Sequence, residues 1–120
     1  MTDVTGFGLA GHLLEMLKDS ATAATLRLAD IPLMSGAAEL AAAGYGSSLQ
    51  PANLAAVSWQ MTAPEDPRVP LLTDPQTCGG LLAAVPGDAA EGLVKALREA
   101  GHEAAVIGEV TAGEPHLTVR

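Results

Sequence analysis

The chain of 120 residues has little of several residue types on which common functions depend. Its single cysteine, Cys78, excludes an internal disulfide and a metal site built from several thiolates, and is compatible with a reducing cytoplasm. Six lysines and arginines against fourteen acidic residues cannot form the basic patch that binds nucleic acid. No apolar run approaches the roughly 20 residues of a membrane-spanning helix. We therefore expect a cytoplasmic protein without a nucleic-acid or membrane partner.

Aromatic residues are also scarce, so the core must consist mainly of alanine, leucine and valine. Only Phe7, Tyr45 and Trp59 are aromatic, although 48% of the residues are hydrophobic. The length suits one domain over residues 1–120. Helical and strand patterns alternate, which predicts an α/β sandwich. The approximate predicted helices are Gly6–Lys18, Ser35–Ala43, Pro51–Trp59 and Asp88–Gly101, and the predicted strands are Ala24–Ala29, Gly80–Val85, Glu103–Val110 and Pro115–Val119.

Two central segments receive contrasting predictions. Residues 60–77 contain four prolines, too many for regular structure, and are expected to form an ordered connector or a functional loop. The continuous apolar run Gly80–Val85 is typical of a strand buried on both faces.

Two of the helices have sequence features at their ends. Ser35 is a candidate N-cap of its helix and Gly44 a C-terminal stop. Asp88 and Glu91 form a variant capping box for the last helix. That helix is expected to turn a set of apolar side chains inward, namely Leu93, Val94 and Leu97.

The first motif with possible chemistry stands at the N-terminal end of the sequence. The carboxylate of Asp3 precedes a turn containing Thr5, Gly6 and Gly8, and this turn leads into an amphipathic helix. Unpaired N–H groups at a helix start, next to a carboxylate, suit a metal ion bridged to phosphate, and glycines allow close approach of a ligand. The alternative is that Asp3 only complements the helix dipole. One carboxylate is an incomplete magnesium site in either case.

The second motif, Asp74–Gly80, leads directly into the predicted buried strand. Its paired glycines, Gly79 and Gly80, indicate close approach of another backbone or of a ligand. The alternative is an Asp-Pro turn in which Asp74 hydrogen-bonds its own backbone. Cys78 is expected to be a small packed thiol rather than a nucleophile, because this acidic chain offers no activating setting. The three histidines have no metal-ligand spacing and are expected at the surface or at an interface.

Together the two motifs resemble the C-terminal domain of the selenophosphate synthetase family, also called selenide, water dikinase. The resemblance rests on Thr2-Asp3-Val4-Thr5-Gly6-Phe7-Gly8-Leu9-x-Gly11-His12-Leu13 and on Asp74-Pro75-Gln76-Thr77-Cys78-Gly79-Gly80-Leu81-Leu82. Residues 105–110 fit the closing strand of the same family, and the resemblance covers essentially the whole chain in order. The first motif is specific, whereas the second is shared more widely in the aminoimidazole ribonucleotide synthetase superfamily.

The resemblance implies a three-layer α/β/α domain that belongs to a longer, dimeric enzyme. That enzyme makes selenophosphate from selenide, ATP and water, and releases AMP and phosphate. Asp3 matches the one C-terminal aspartate that helps to coordinate Mg²⁺ at the ATP phosphates, while an N-terminal ATP-binding domain supplies the other ligands. The implied cofactors are therefore Mg²⁺ and ATP. The residues expected to line the cleft are Thr5, Gly6, Gly8, Thr77, Gly79 and Gly80.

Two departures from the family pattern limit these expectations. The N-terminal half is absent from this sequence, so we expect no activity from the chain alone and assign it no catalytic residue. Cys78 stands where the family commonly has serine, and it is not the reactive cysteine of the family. Two alternatives remain open: a domain of another ATP-dependent enzyme of the superfamily, and a free-standing, non-catalytic interaction module.

Overall fold

The computed structural model describes all 120 residues, and it confirms the expected α/β sandwich. Helices pack on a mixed sheet of four strands, and a separate two-stranded ribbon lies beside it. No helix is both long enough and apolar enough to cross a membrane. In chain order the elements are β1 (Thr2–Asp3), α1 (Gly8–Ser20), β2 (Thr22–Leu26), α2 (Ala37–Ala42), α3 (Gln50–Val57), β3 (Met61–Thr62), β4 (Leu81–Leu82), α4 (Gly87–Glu99), β5 (Gly108–Ala112) and β6 (Leu117–Val119), with 3₁₀ turns at Leu28–Asp30, Ser58–Gln60 and Val69–Thr73.

The main sheet has the strand order β3-β6-β2-β5. Strand β2 is antiparallel to β5 and parallel to β6, which is in turn parallel to β3. Ala24 pairs with Leu117 and Leu26 with Val119, and because register fixes the face of each side chain, these four buried residues share one face. That face is part of the hydrophobic core. Helix α1 contributes Leu13, Leu14 and Leu17 to this core, and the 3₁₀ turn Val69–Thr73 contributes Leu72.

Helix α1 is well placed to build this core. Its apolar residues recur at helical spacing, and seven of its thirteen residues are buried. Leu14 and Leu17 are almost completely inaccessible, and burial of one leucine side chain stabilises the fold by about 1.5–3 kcal/mol. Ala21, in the left-handed conformation, ends the helix and leads the chain into β2. The helix begins two residues later than predicted, because Gly6 and Phe7 belong to a turn.

The predicted buried strand Gly80–Val85 is wrong in extent and in burial. Only Leu81 and Leu82 form a strand, and only Leu82 is buried, while residues 83–85 are exposed. The reason is that β4 pairs with β1 alone, in a ribbon outside the main sheet, so no layers cover both of its faces.

The last helix also differs from prediction. Helix α4 begins at Gly87 after Pro86 and has no side-chain cap, so the Asp88–Glu91 capping box is not formed. Leu93 and Leu97 are exposed rather than inward, and Val94 is half-buried. The expected end near Gly101 is close to the observed end at Glu99, and Gly101 has a positive φ of 87°.

The remaining predictions shift by several residues. Strand β2 ends at Leu26, where a 3₁₀ turn follows, and β5 begins only at Gly108. Gly36 rather than Ser35 precedes α2, whereas Gly44 follows it with the positive φ of a C-terminal stop. The proline-rich segment 60–77 is more regular than predicted, since it contains β3 and the 3₁₀ turn Val69–Thr73.

Candidate functional site

The two sequence motifs meet in the folded chain, although about 70 residues separate them. Strand β1 pairs antiparallel with β4, and beyond the strands the N–H of Val4 donates to the Gly80 carbonyl at 2.9 Å. The N–H of Gln76 donates to the Thr5 carbonyl at 3.0 Å. The motifs therefore form one surface feature, which we call the motif junction, residues 2–8 together with residues 74–80.

Two glycines of the junction are required by the close approach of the chain to itself. Gly8 has a φ of +70°, and a Cβ there would lie 2.7 Å from the Leu72 carbonyl oxygen. A Cβ on Gly79 would overlap the carbonyl oxygen of Val4. Both glycines thus allow backbone to pack on backbone, which for Gly79 is one of the two explanations left open by the sequence, whereas for Gly8 close approach of a ligand was expected.

A third segment, in and before α3, holds the junction together. The Asn53 amide donates to the carbonyl of Gly6 at 2.8 Å and to that of Thr73 at 3.0 Å, so one side chain joins the first motif to the residue just before the second. The Gln50 amide donates to the buried Thr73 hydroxyl at 2.9 Å. The Asp74 carboxylate accepts from the Ser47 N–H at 3.3 Å instead of turning back on its own backbone, as the alternative interpretation required.

Asp3 lies on the exposed surface of the junction, at the end of β1. None of the four ion pairs of the chain includes Asp3, so no cation of this chain neutralises its carboxylate. A carboxylate oxygen is a ligand that Mg²⁺ prefers. No group of three or more His, Cys, Asp or Glu side chains is close enough to hold a metal. The chain therefore fits Mg²⁺ only as the donor of one ligand to a shared site.

The other predicted cleft residues lie at different depths in the junction. Gly6, Thr77 and Gly80 are exposed, whereas Gly8 is buried and Gly79 half-buried. The Thr5 hydroxyl already has a partner, because it lies 3.0 Å from Nε2 of His12. Their binding roles remain predictions. The expectation that Cys78 is packed was wrong, since it is exposed on the loop, whereas the expectation that it is not a nucleophile stays a prediction.

Sequence reasoning missed two side chains that stabilise the junction. His12, expected at the surface, is buried on α1 and contacts both Thr5 and Glu15. Asn53 was not recognised because its partners are backbone carbonyls of distant residues. The spacing of His12 seven residues after Thr5 and three before Glu15 is the one signal that could have linked His12 to the turn.

The surface near the junction contains one open depression of about 460 Å³. Its lining includes Thr2 of the first motif together with His12 and Glu15 of α1. A larger depression of about 560 Å³ runs along α4 and includes no residue of either motif. Neither motif segment contains a lysine or an arginine, so phosphate here would depend on metal, on backbone N–H groups or on cations from elsewhere.

Comparison with known proteins places this geometry in a family. The whole chain, residues 1–120, matches the family described as AIR synthase related protein, C-terminal domain. Among curated relatives, the "Selenide, water dikinase" of Myxococcus xanthus (strain DK1622) is 46% identical over 124 residues, which cover 99% of this chain and 35% of the relative. The protein of the same name from Rhizobium meliloti (strain 1021) is 41% identical over 125 residues, which cover 99% of this chain and 35% of that relative.

A third relative gives the same result. The "Selenide, water dikinase" of Clostridioides difficile (strain 630) is 40% identical over 124 residues, covering 99% of this chain and 36% of the relative. The chain thus spans about a third of the length of the curated relatives that it matches. Because the family match extends from the first residue to the last, this chain belongs to the family of AIR synthase related protein C-terminal domains.

Proposed function

We propose that this chain is the C-terminal domain of a selenide, water dikinase, which converts selenide, ATP and water into selenophosphate, AMP and phosphate. The observation that carries the proposal is the motif junction, in which the two family motifs meet and leave Asp3 exposed. Relatives of that name are 40–46% identical over 99% of this chain, which supports the choice of substrate.

In this proposal Asp3 donates one carboxylate ligand to Mg²⁺, and an N-terminal ATP-binding domain of the same enzyme donates the others. When bound, Mg²⁺ neutralises charge on the phosphates of ATP during phosphoryl transfer. The absence of any lysine or arginine from the two motif segments agrees with this division of roles. The negative charge of Asp3, which this chain leaves unpaired, is the feature that a shared cation would satisfy.

The Asp74–Gly80 loop lines the cleft on the side of the nucleotide or of selenide. Thr77 and Gly80 are exposed and offer a hydroxyl and backbone to a ligand. Gly8 and Gly79 act indirectly, because they let the two segments approach closely enough to form one wall. Thr5 and Gly6 shape the turn that follows Asp3, and Asn53 fixes that turn by its bond to Gly6.

The partner required for activity is the N-terminal ATP-binding domain, and the complete enzyme is a homodimer. We place it in the cytoplasm, which suits an exposed, unpaired Cys78. The isolated chain is expected to be inactive, because it holds only one ligand of the proposed metal site.

The test is selenide-dependent formation of AMP from ATP and Mg²⁺ in three samples: this chain, the N-terminal part of a relative, and their mixture. We expect activity only in the mixture. Circular dichroism and gel filtration establish that both parts are folded and associated. An inactive mixture of folded, associated parts would contradict the proposal and favour a superfamily enzyme with another substrate, or a non-catalytic module.

A further inference from the structure

Three side chains form a hydrogen-bonded series beside the motif junction. His12 Nε2 lies 3.0 Å from the Thr5 hydroxyl, and His12 Nδ1 lies 3.0 Å from the Glu15 carboxylate. Thr5 belongs to the first motif, whereas His12 and Glu15 lie one turn apart on α1. The imidazole is buried, and the Phe7 ring packs against it with ring centres 5.6 Å apart. Glu15, at the end of the series, is exposed to solvent.

For a neutral imidazole, the chemistry of the three groups sets the direction of these hydrogen bonds. An ionised carboxylate only accepts, so Nδ1 of His12 donates to Glu15. In the neutral imidazole Nε2 is then the acceptor, and the Thr5 hydroxyl donates to it. The orientation of the Thr5 hydroxyl is therefore set by one partner, the buried His12 imidazole, which Glu15 orients in turn.

The backbone of Thr5 also makes hydrogen bonds that connect the two motifs. Its carbonyl accepts from the N–H of Gly8 at 3.0 Å and from the N–H of Gln76 at 3.0 Å. Thr5 thus links the helix start, the second motif and α1 at a single residue. Asp3 lies two residues earlier in β1, so Thr5 anchors the C-terminal side of the segment that presents this carboxylate, while the pairing of β1 with β4 anchors the strand itself.

We propose that His12 is a positioning residue for the candidate site. Held by Glu15, it fixes Thr5 and so the turn that follows Asp3 and anchors its segment, without contacting substrate itself. Its effect on catalysis rests on the proposed function, whereas its effect on the turn does not. Loss of a group that hydrogen-bonds directly to a metal ligand typically reduces metal affinity or activity by 10- to 100-fold, and His12, which acts through Thr5, is expected at the lower end of that range.

The first test measures the turn directly, by amide hydrogen exchange of this chain in the variants Thr5→Val and His12→Ala. Valine has nearly the shape of threonine but no hydroxyl, so Thr5→Val keeps the inference testable if His12→Ala fails to fold. We expect the amides of Gly8 and Gln76 to exchange about tenfold faster. The Arg120 amide, which donates to Leu26 in the main sheet, is expected to stay unchanged.

The matched control is Ser20→Ala, which removes hydrogen bonds to Met16 and Thr22 at the other end of α1. This variant is expected to leave the exchange rates of the Gly8 and Gln76 amides unchanged. Equal acceleration of all amides in Thr5→Val, or none, would overturn the positioning role. Selective acceleration at Gly8 and Gln76 would support it.

The second test uses the active mixture of this chain with an N-terminal part. Thr5→Val and His12→Ala are each expected to lower kcat about tenfold with little change in the KM for ATP. The kcat of the double variant is expected to be no lower than that of either single variant, because both changes break the same series of hydrogen bonds. Thr5→Ser keeps the hydroxyl and is expected to have the activity of the unaltered chain. Additive losses or no rescue by serine would overturn the inference. If the unaltered mixture is inactive, the proposed function fails, and the exchange result alone decides the role of His12.

Discussion

Helices α1 and α4 have the same length, thirteen residues, and both show an amphipathic pattern, yet they differ in how much of their surface is buried. Helix α1 buries seven residues, whereas α4 buries none. Leu14 on α1 is 2% exposed, and Leu97 on α4 is 37% exposed. The difference lies in what surrounds each helix. Strand β2, helix α3 and the 3₁₀ turn Val69–Thr73 all pack on α1.

This contrast shows what an amphipathic pattern can and cannot predict. The pattern identifies the apolar face of a helix, but it contains no information on whether another element covers that face. The motif junction lies with the well-packed region, because β1, α1, α3 and the 3₁₀ turn provide its contacts. Precise sites need such rigid support, so the location of the junction beside α1 is physically reasonable.

The largest expected effect compares a leucine from each helix. Leu14→Ala should lower the free energy of unfolding by about 2–5 kcal/mol, because it leaves a cavity in the core. Leu97→Ala should cost less than about 1 kcal/mol, since much of its side chain is already in water. Urea unfolding of both variants measures the difference. Equal losses would mean that α4 is packed as closely as α1.

A glycine from each region provides the second comparison. Gly79→Ala should destabilise the fold by about 1–3 kcal/mol, because its Cβ would overlap the Val4 carbonyl oxygen and separate β1 from β4. Gly92→Ala, in the open interior of α4, should stabilise it by about 0.5–1 kcal/mol. Chemical denaturation again provides the measurement. A loss of stability in Gly92→Ala would show that this part of α4 is more crowded than the structure indicates.

A smaller effect is expected at the Asp66–Arg68 pair, just before the 3₁₀ turn. Hydrogen bonds from the side chain and backbone of Arg68 lower the pKa of Asp66 from 3.8 to about 2. A lowered pKa in the folded state stabilises the fold above about pH 4, and this contribution is lost as the pH falls towards 2. Asp66→Asn should flatten the stability profile across this interval. An unchanged profile from pH 4 to 2 would contradict the role of the pair.

The features that the sequence predicted correctly depend mostly on neighbouring residues, although the local caps at Ser35 and at Asp88–Glu91 were wrong. The turn before α1, the glycine stops at Gly44 and Gly101 and the α/β alternation follow from local backbone preferences. The motif residues were also recognisable, since Asp3 and the glycines of both motifs stand in a distinctive order.

Two of the features that sequence reasoning missed depend on contacts between distant residues. The pairing of β1 with β4 involves only two residues on each strand, too few to produce a periodic signal. The role of Asn53 depends on carbonyl groups, which every residue has. His12 was expected at the surface or at an interface, but Thr5, Phe7 and Glu15, which are close to it in sequence, provide the polar and aromatic contacts that allow its burial.

Asp3→Asn has the smallest expected effect on stability and tests the central claim most directly. The residue is exposed and unpaired, so the melting temperature should not change. In the active mixture we expect selenide-dependent AMP formation to fall about 100-fold, because the shared Mg²⁺ loses a charged ligand. Asp88→Asn, the same change at an exposed position of α4, should leave activity intact. Full activity of Asp3→Asn at every Mg²⁺ concentration would contradict the account.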